Sequence, residues 1–271
     1  MKENEGARKK DLTARKKIKT TIKCVVFLLT AAYLCLCITM RLKVRESSFP
    51  DGDCMLYYIV NADGMKGLGH SILMVVDEKG YGTVCSFNGM QRSLRECLLG
   101  KSGIGKFSTG VMNAEETGMF LQSGDLCLDG DQLTDNYDVA LYRPITMEDY
   151  QAILEQTAPY LAAEAEYQAL FGKWAMEEDA VSKAEYQQDL ARMAEDESLP
   201  LYQIYTHNCD HAARMIAQTA DQELRKYTES AWRMTPNGNL KAFAGLADDW
   251  GVMTLGKQSL PEKILLFFMV F

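Results

Sequence analysis

Tyr205-Thr206-His207-Asn208-Cys209-Asp210-His211-Ala212-Ala213-Arg214-Met215 is a polar loop that turns into a helix, with a thiol at the turn. Asparagine is a preferred N-cap, because its side-chain oxygen accepts a backbone N–H that the first helical turn leaves unbonded. With Asn208 in that role, Cys209 stands in the first turn and Ala212, Ala213 and Ile216 form an apolar face behind it. A thiol attacks as the thiolate, and a helix N-terminus favours an anion. The stretch predicts an activated cysteine in a fold that brings a base to it from elsewhere in the chain.

The chain has three histidines to supply that base. His211 lies two residues beyond Cys209, ~200° around a helix axis, and is expected to point away. His207 reaches the thiol only if its loop folds back. His70 opens Gly69-His70-Ser71-Ile72-Leu73-Met74-Val75-Val76, where a glycine-containing loop becomes an apolar strand. Asp77-Glu78-Lys79-Gly80 reads as a turn and residues 81–87 as the returning strand, so His70 begins a β-hairpin. A catalytic imidazole needs a polar group on its second nitrogen. Side chains alternate along a strand, so Ser86 and Asn88 share a face of the returning strand. Asn88 is the expected orienter and Ser86 the alternative. His207-x-Cys209-x-His211 would line up three zinc ligands on a strand. The helical pattern after Cys209 removes that geometry, and no metal or organic cofactor is expected.

These two motifs, a Gly-His opening an apolar strand and a later Tyr205-x-x-Asn208-Cys209-x-His211, resemble the circularly permuted papain-like group. That group includes NlpC-related hydrolases, lecithin:retinol acyltransferase-like proteins and PPPDE peptidases. In it a strand histidine precedes a cysteine that starts a helix, in the pattern Asn-Cys-x-His-Phe. The resemblance covers roughly residues 54–145 and 199–220. It implies an α+β permuted papain-like core, an antiparallel sheet packed on helices, with Cys209 as nucleophile, His70 as base and Asn88 or Ser86 as orienter. Asn208, His211 and His207 are secondary candidates. The implied activity is that of a cysteine hydrolase or acyltransferase acting on an amide or ester, with a peptide, cell-wall or lipid-ester substrate. The alternative is a papain-like domain that binds or scaffolds without turnover. Ala212 stands where the pattern has an aromatic residue, and the simplest members have nothing like residues 164–197.

Charge divides the chain. Residues 1–45 hold 12 Lys+Arg and 3 Asp+Glu, while the remainder is net −17. An acidic body is a poor nucleic-acid binder, since phosphate contacts need clustered cations. Residues 1–21 read as a basic cytoplasmic tail and 22–40 as an apolar signal-anchor helix; a helix of ~20 such residues crosses a bilayer. Residues 41–53 read as a linker and 54–271 as a domain held outside the cell membrane by the positive-inside rule. Five cysteines fall outside the apolar run: Cys54, Cys85, Cys97, Cys127 and Cys209. An odd number leaves at least one unpaired, with the pairing among the other four open.

The rest reads more coarsely. Residues 56–60 and 137–142 are expected strands, and 100–130 irregular. Gly100-Lys101-Ser102-Gly103-Ile104-Gly105-Lys106 nearly spells a phosphate-binding loop, but Phe107 stands where a hydroxyl should hold magnesium. Thr146-Met147-Glu148-Asp149 predicts a capping-box helix start. Helical periodicity runs from there to about Glu195, with breaks expected at Pro159 and Gly172, and residues 164–197 form a charged helical arm. The apolar residues 264–271 read as a terminal buried strand.

Overall fold

The structure, a computed structural model, describes residues 16–32, 45–48, 51–62, 64, 69–89, 95–96, 99–126, 135–196, 198–220, 236, 239–240 and 249–256. The chain divides into two units, Met1–Lys43 and Val44–Phe271. In the first, residues 16–32 are helical. This corrects the expected membrane-spanning helix over 22–40. Lys16, Lys17, Lys19 and Lys23 lie within the helix, and among the described residues no helix is long and apolar enough to cross a membrane. Residues 33–40 of the expected span lie outside the described residues.

The second unit is α+β. Among the described residues its sheet has seven strands in the order β8-β4-β3-β2-β1-β7-β9, every pair antiparallel. The strands are β1 (Cys54–Asn61), β2 (His70–Val76), β3 (Gly82–Gly89), β4 (Gly103–Met112), β7 (Val139–Ile145), β8 (Leu201–Tyr202) and β9 (Gly251–Thr254). Two short strands, β5 (Asp125–Leu126) and β6 (Asp135–Asn136), pair separately. The helices are α1 (Ala114–Ser123), α2 (Met147–Met176), α3 (Ala180–Glu195) and α4 (Cys209–Ala217).

The apolar run at 71–76 places β2 at the centre, and all seven of its residues are buried. Consecutive side chains leave a strand on opposite faces, so both faces must be covered. On one, Ile59, Ile72, Met74 and Val84 pack with Phe120, Tyr137 and Leu255. On the other, Tyr58, which alternates with Tyr57 and Ile59, hydrogen-bonds Asp210 of α4. Helix α4 packs on β2 and β3, and α2 on β4 and β1. Burying each Ile, Leu or Met of such a layer stabilises the fold by roughly 1.5–3 kcal/mol.

Several sequence expectations change. Of the stretch 100–130, residues 103–126 are largely regular: β4 pairs with β3 from Gly82↔Met112 to Gly89↔Gly105, and α1 follows from a capping box of Asn113 and Glu116; residues 127–130 lie outside the described residues. The loop-like Gly103 and Gly105 therefore belong to a strand, and Lys106 is exposed opposite Asn88. The Thr146–Asp149 capping box does start α2, but the helix runs through both Pro159 and Gly172. Proline removes one helical hydrogen bond, a cost of ~3 kcal/mol. Burial of Tyr150, Ile153, Thr157 and Ala163 around it offsets this. A glycine costs about 1 kcal/mol relative to alanine, too little to stop a helix already formed. The break comes at Glu177, and Asp179 caps α3 by accepting the Ser182 N–H. Most of α3 is exposed, and it packs on α2 and β4. The linker residues Arg45 and Ser48 are tied into the second unit by backbone hydrogen bonds to Val252 and Asp249. The expected strand at 264–271 lies outside the described residues.

Gly105 marks a tight spot in this architecture. A Cβ there would stand 2.0 Å from Cε2 of Phe87. That ring is buried and packed on Phe107, Tyr160 and Tyr202, with centroids 5.2–6.3 Å away, so it has no room to retreat. Gly105→Val should lower stability by about 1–3 kcal/mol, the usual cost of overpacking, measured by chemical denaturation.

Candidate active site

Helix α4 begins where the Asn208 cap predicts. Asn208 has extended backbone, and its Oδ1 accepts the His211 N–H at 3.0 Å. Its Nδ2 donates to the Ile204 carbonyl at 2.9 Å, tying the cap to the incoming loop. The N–H groups of Cys209 and Asp210 are among those an α-helix leaves without an intrahelical acceptor. They form a place for developing negative charge beside the thiol.

His70, first residue of β2, meets this helix start. Its imidazole hydrogen-bonds the Cys209 thiol, and the Ser71 backbone N–H does so too. Both members are buried, Cys209 at 3% exposure and His70 at 9%. Burial pushes the thiol pKa up, and the Asp210 carboxylate pushes the same way. The charge and hydrogen bond of His70, with the Ser71 N–H, outweigh both, and the thiol is held below its ordinary value. The physical contrast within the chain is Cys85 on β3, also buried but with no such partners, whose pKa burial drives up to about 12. Cys54 is likewise raised, chiefly by burial.

The second imidazole nitrogen, Nε2, lies 3.2 Å from Ser86 Oγ. Asn88 Nδ2 donates to the same Ser86 oxygen at 3.1 Å. Ser86 is therefore the residue whose side chain meets the imidazole, and Asn88 stands one step behind it. Burial separates the two: the β2–β3 pairing ends at Ile72↔Ser86, Ser86 is buried beside the imidazole, and Asn88 is at the exposed end of β3. The Ser86 hydroxyl, which accepts from Asn88, is thus held against the His70 ring.

The other two histidines stand together and apart from this relay. Their rings lie edge to face at 4.8 Å, and His207 Nδ1 is 2.9 Å from Thr206 Oγ1. Neither is among the groups acting on the thiol. Among the described residues no three His, Cys, Asp or Glu side chains are grouped to hold a metal ion. Cys54, Cys85 and Cys209 carry free thiols, so the bridges left open for Cys54 and Cys85 do not form; Cys97 and Cys127 lie outside the described residues.

Sequence reasoning missed Asp210. It is wholly buried, accepts from the Tyr58 hydroxyl and from Asn239 Nδ2, and is paired with Arg214 Nε at 2.8 Å. Burial raises its pKa, opposed by Arg214 and by the hydrogen bonds from Tyr58 and Asn239. The readable signal was the i,i+4 spacing of Asp210 and Arg214 on one helix.

Two outcomes follow from this geometry. Ser86→Ala removes the oxygen that meets Nε2, and iodoacetamide should then alkylate Cys209 about fivefold more slowly at pH 7, the equivalent of a hydrogen bond of about 1 kcal/mol; peptide mapping by mass spectrometry reads it. The second concerns His211, whose pKa is lowered to about 4 by burial first, then by His207 and Arg214. Between pH 6.5 and 4 the unfolded chain takes up a proton there that the folded chain refuses. The unfolded state binds more protons, so stability rises with pH across that window and falls on acidification through it. His211→Gln should flatten this part of the stability curve, measured by urea denaturation from pH 7 to 4.

Compared with family models, with curated proteins and with solved structures, the chain matches none.

Proposed function

We propose that the protein is a cysteine hydrolase or acyltransferase of papain-like type, with Cys209 as nucleophile, His70 as general base and acid, and Ser86, backed by Asn88, as orienter. The reading rests on one observation: a thiol at a helix N-terminus is hydrogen-bonded to an imidazole and held below its ordinary pKa in spite of burial. Nothing structural requires that combination. An apolar residue at position 209 would fill the space without a buried polar partner.

The chemistry balances without a further reactant beyond the acyl acceptor. His70 takes the thiol proton, and the thiolate attacks the carbonyl carbon of an amide or ester. The carbonyl oxygen becomes an oxyanion near the first-turn N–H groups of α4. His70 returns the proton to the departing amine or alcohol, leaving a thioester on Cys209. Water, or an acceptor alcohol or amine, gives a proton to His70 and attacks the thioester, and the thiol is restored. Candidate acyl donors are peptides, cell-wall peptides and lipid esters.

The burial of Cys209, 3% exposed, favours a second reading in which the domain binds without turnover. One experiment separates them. The full chain is alkylated with iodoacetamide across pH 5–10 and each cysteine mapped. Under the proposal Cys209 reacts with a midpoint below ~8.5, the value of a free thiol, and His70→Ala moves the midpoint up and slows the reaction at pH 7 at least tenfold. Unreactive Cys209, or a profile that His70→Ala leaves alone, overturns the hydrolase reading in favour of the binding one.

A further inference from the structure

Asp210 is the residue after the proposed nucleophile, and nothing in the reaction above uses it. It is also the most deeply buried carboxylate among the described residues, at 0% exposure. Three side chains converge on it from three parts of the chain: Tyr58 from β1, Asn239 from a short helical segment, and Arg214 from the next turn of α4. Oδ1 takes the tyrosine, while Oδ2 takes the amide and the guanidinium. Both oxygens are thus occupied.

Electrostatics alone argues against placing an anion there. Asp210 pushes the neighbouring thiol toward its protonated form. Removing a carboxylate and its partners from water is also costly, and a well-packed apolar group of similar volume is often as stable or more so. What an apolar group lacks is direction. A carboxylate bonded to Tyr58 fixes the rotation and height of the first turn of α4 relative to β1. Strand β1 pairs with β2 from Met55↔Val76 to Asn61↔His70. The same strand therefore sets the position of His70 and, through Tyr58, that of Cys209.

We infer that Asp210 is a positioning residue for the Cys209–His70 pair: clamped by Tyr58, Asn239 and Arg214, it holds the first turn of α4 in the one register on β1 at which the thiol reaches His70 and the Ser71 N–H. This rests on the hydrolase reading but is tested separately from it. The charged and titratable groups around Asp210 are Tyr58 from β1, Arg214 from α4, and Cys209 itself; those acting on Cys209 are His70 and Asp210.

Position and charge predict opposite signs. If Asp210 acted only through its charge, Asp210→Ala would lower the alkylation midpoint of Cys209, because a repelling anion is gone. If it positions the thiol, Asp210→Ala removes both oxygens that Tyr58, Asn239 and Arg214 hold, the clamp opens, and the contact with His70 is lost. The midpoint then rises toward ~8.5, the free-thiol value, and alkylation at pH 7 slows about tenfold or more. The experiment is the pH profile of Cys209 alkylation in the full chain, for the wild type, Asp210→Ala and Tyr58→Phe. Tyr58→Phe keeps the ring and the charge but removes the bond to β1, and it keeps the test decisive if Asp210→Ala does not fold. It should move the midpoint in the same upward direction by a smaller amount. Leu126→Ala, a core change in the cluster on the other face of the sheet, controls for lost stability and should leave the midpoint alone. A midpoint that falls or stays put in Asp210→Ala and Tyr58→Phe, or one that Leu126→Ala raises equally, overturns the clamp while leaving the Cys–His pair intact. A wild-type midpoint at the free-thiol value sinks the pair itself, and the clamp with it.

Discussion

Strand β2 is buried along its whole length on both faces, and the rest of the second unit follows from that requirement. Seven residues with no solvent on either side need a hydrogen-bonded neighbour at each edge and a covering layer above and below. β1 and β3 supply the edges. Phe120 of α1, with Tyr137 and Leu255, covers one face, and α4 covers the other. The first residue of the strand is His70, so the segment that must be placed most rigidly also carries the imidazole. A group anchored this way keeps its geometry better than one on a loop.

The candidate site was largely legible in the sequence, because it is built from local rules. Asn208 capping a helix at Cys209 needs only the preference of asparagine for an N-cap. His70 opening a buried hairpin needs only the apolar run after it. Periodicity of two put Ser86 and Asn88 on one face. It could not rank them, because which of the two is buried against His70 depends on the packing of remote segments. Asp210 was invisible for the same reason: its partners Tyr58 and Asn239 are remote in sequence, and an aspartate in the first turn of a helix is ordinarily read as a solvated partner of the helix dipole.

The misreadings elsewhere have physical causes too. β4 hid behind its glycines, which resemble a loop in sequence. One of them, Gly105, is there because the Phe87 ring occupies the space of a side chain. Pro159 was read as a stop because intrinsic propensity is a local quantity, whereas the turns around it are held by Tyr150, Ile153 and Thr157 against the body. In the N-terminal unit the apolar composition of 22–40 dominated the reading, and the described helix instead begins among lysines.

The two ends of the Tyr58–Asp210 bond are 152 residues apart in the chain. A ribosome adding about 5–20 residues per second needs roughly 8–30 s to cover that distance. For most of that time the growing chain carries the His70 imidazole without the thiol it meets in the fold. When Cys209 does emerge, Asp210 emerges with it, and the same docking event that brings the sulfur to His70 closes the core over both. If the proposed chemistry holds, reactivity is thereby tied to completion of the fold: a polypeptide stalled before residue 209 lacks the proposed nucleophile, and one that has it but has not docked α4 has only an ordinary cysteine.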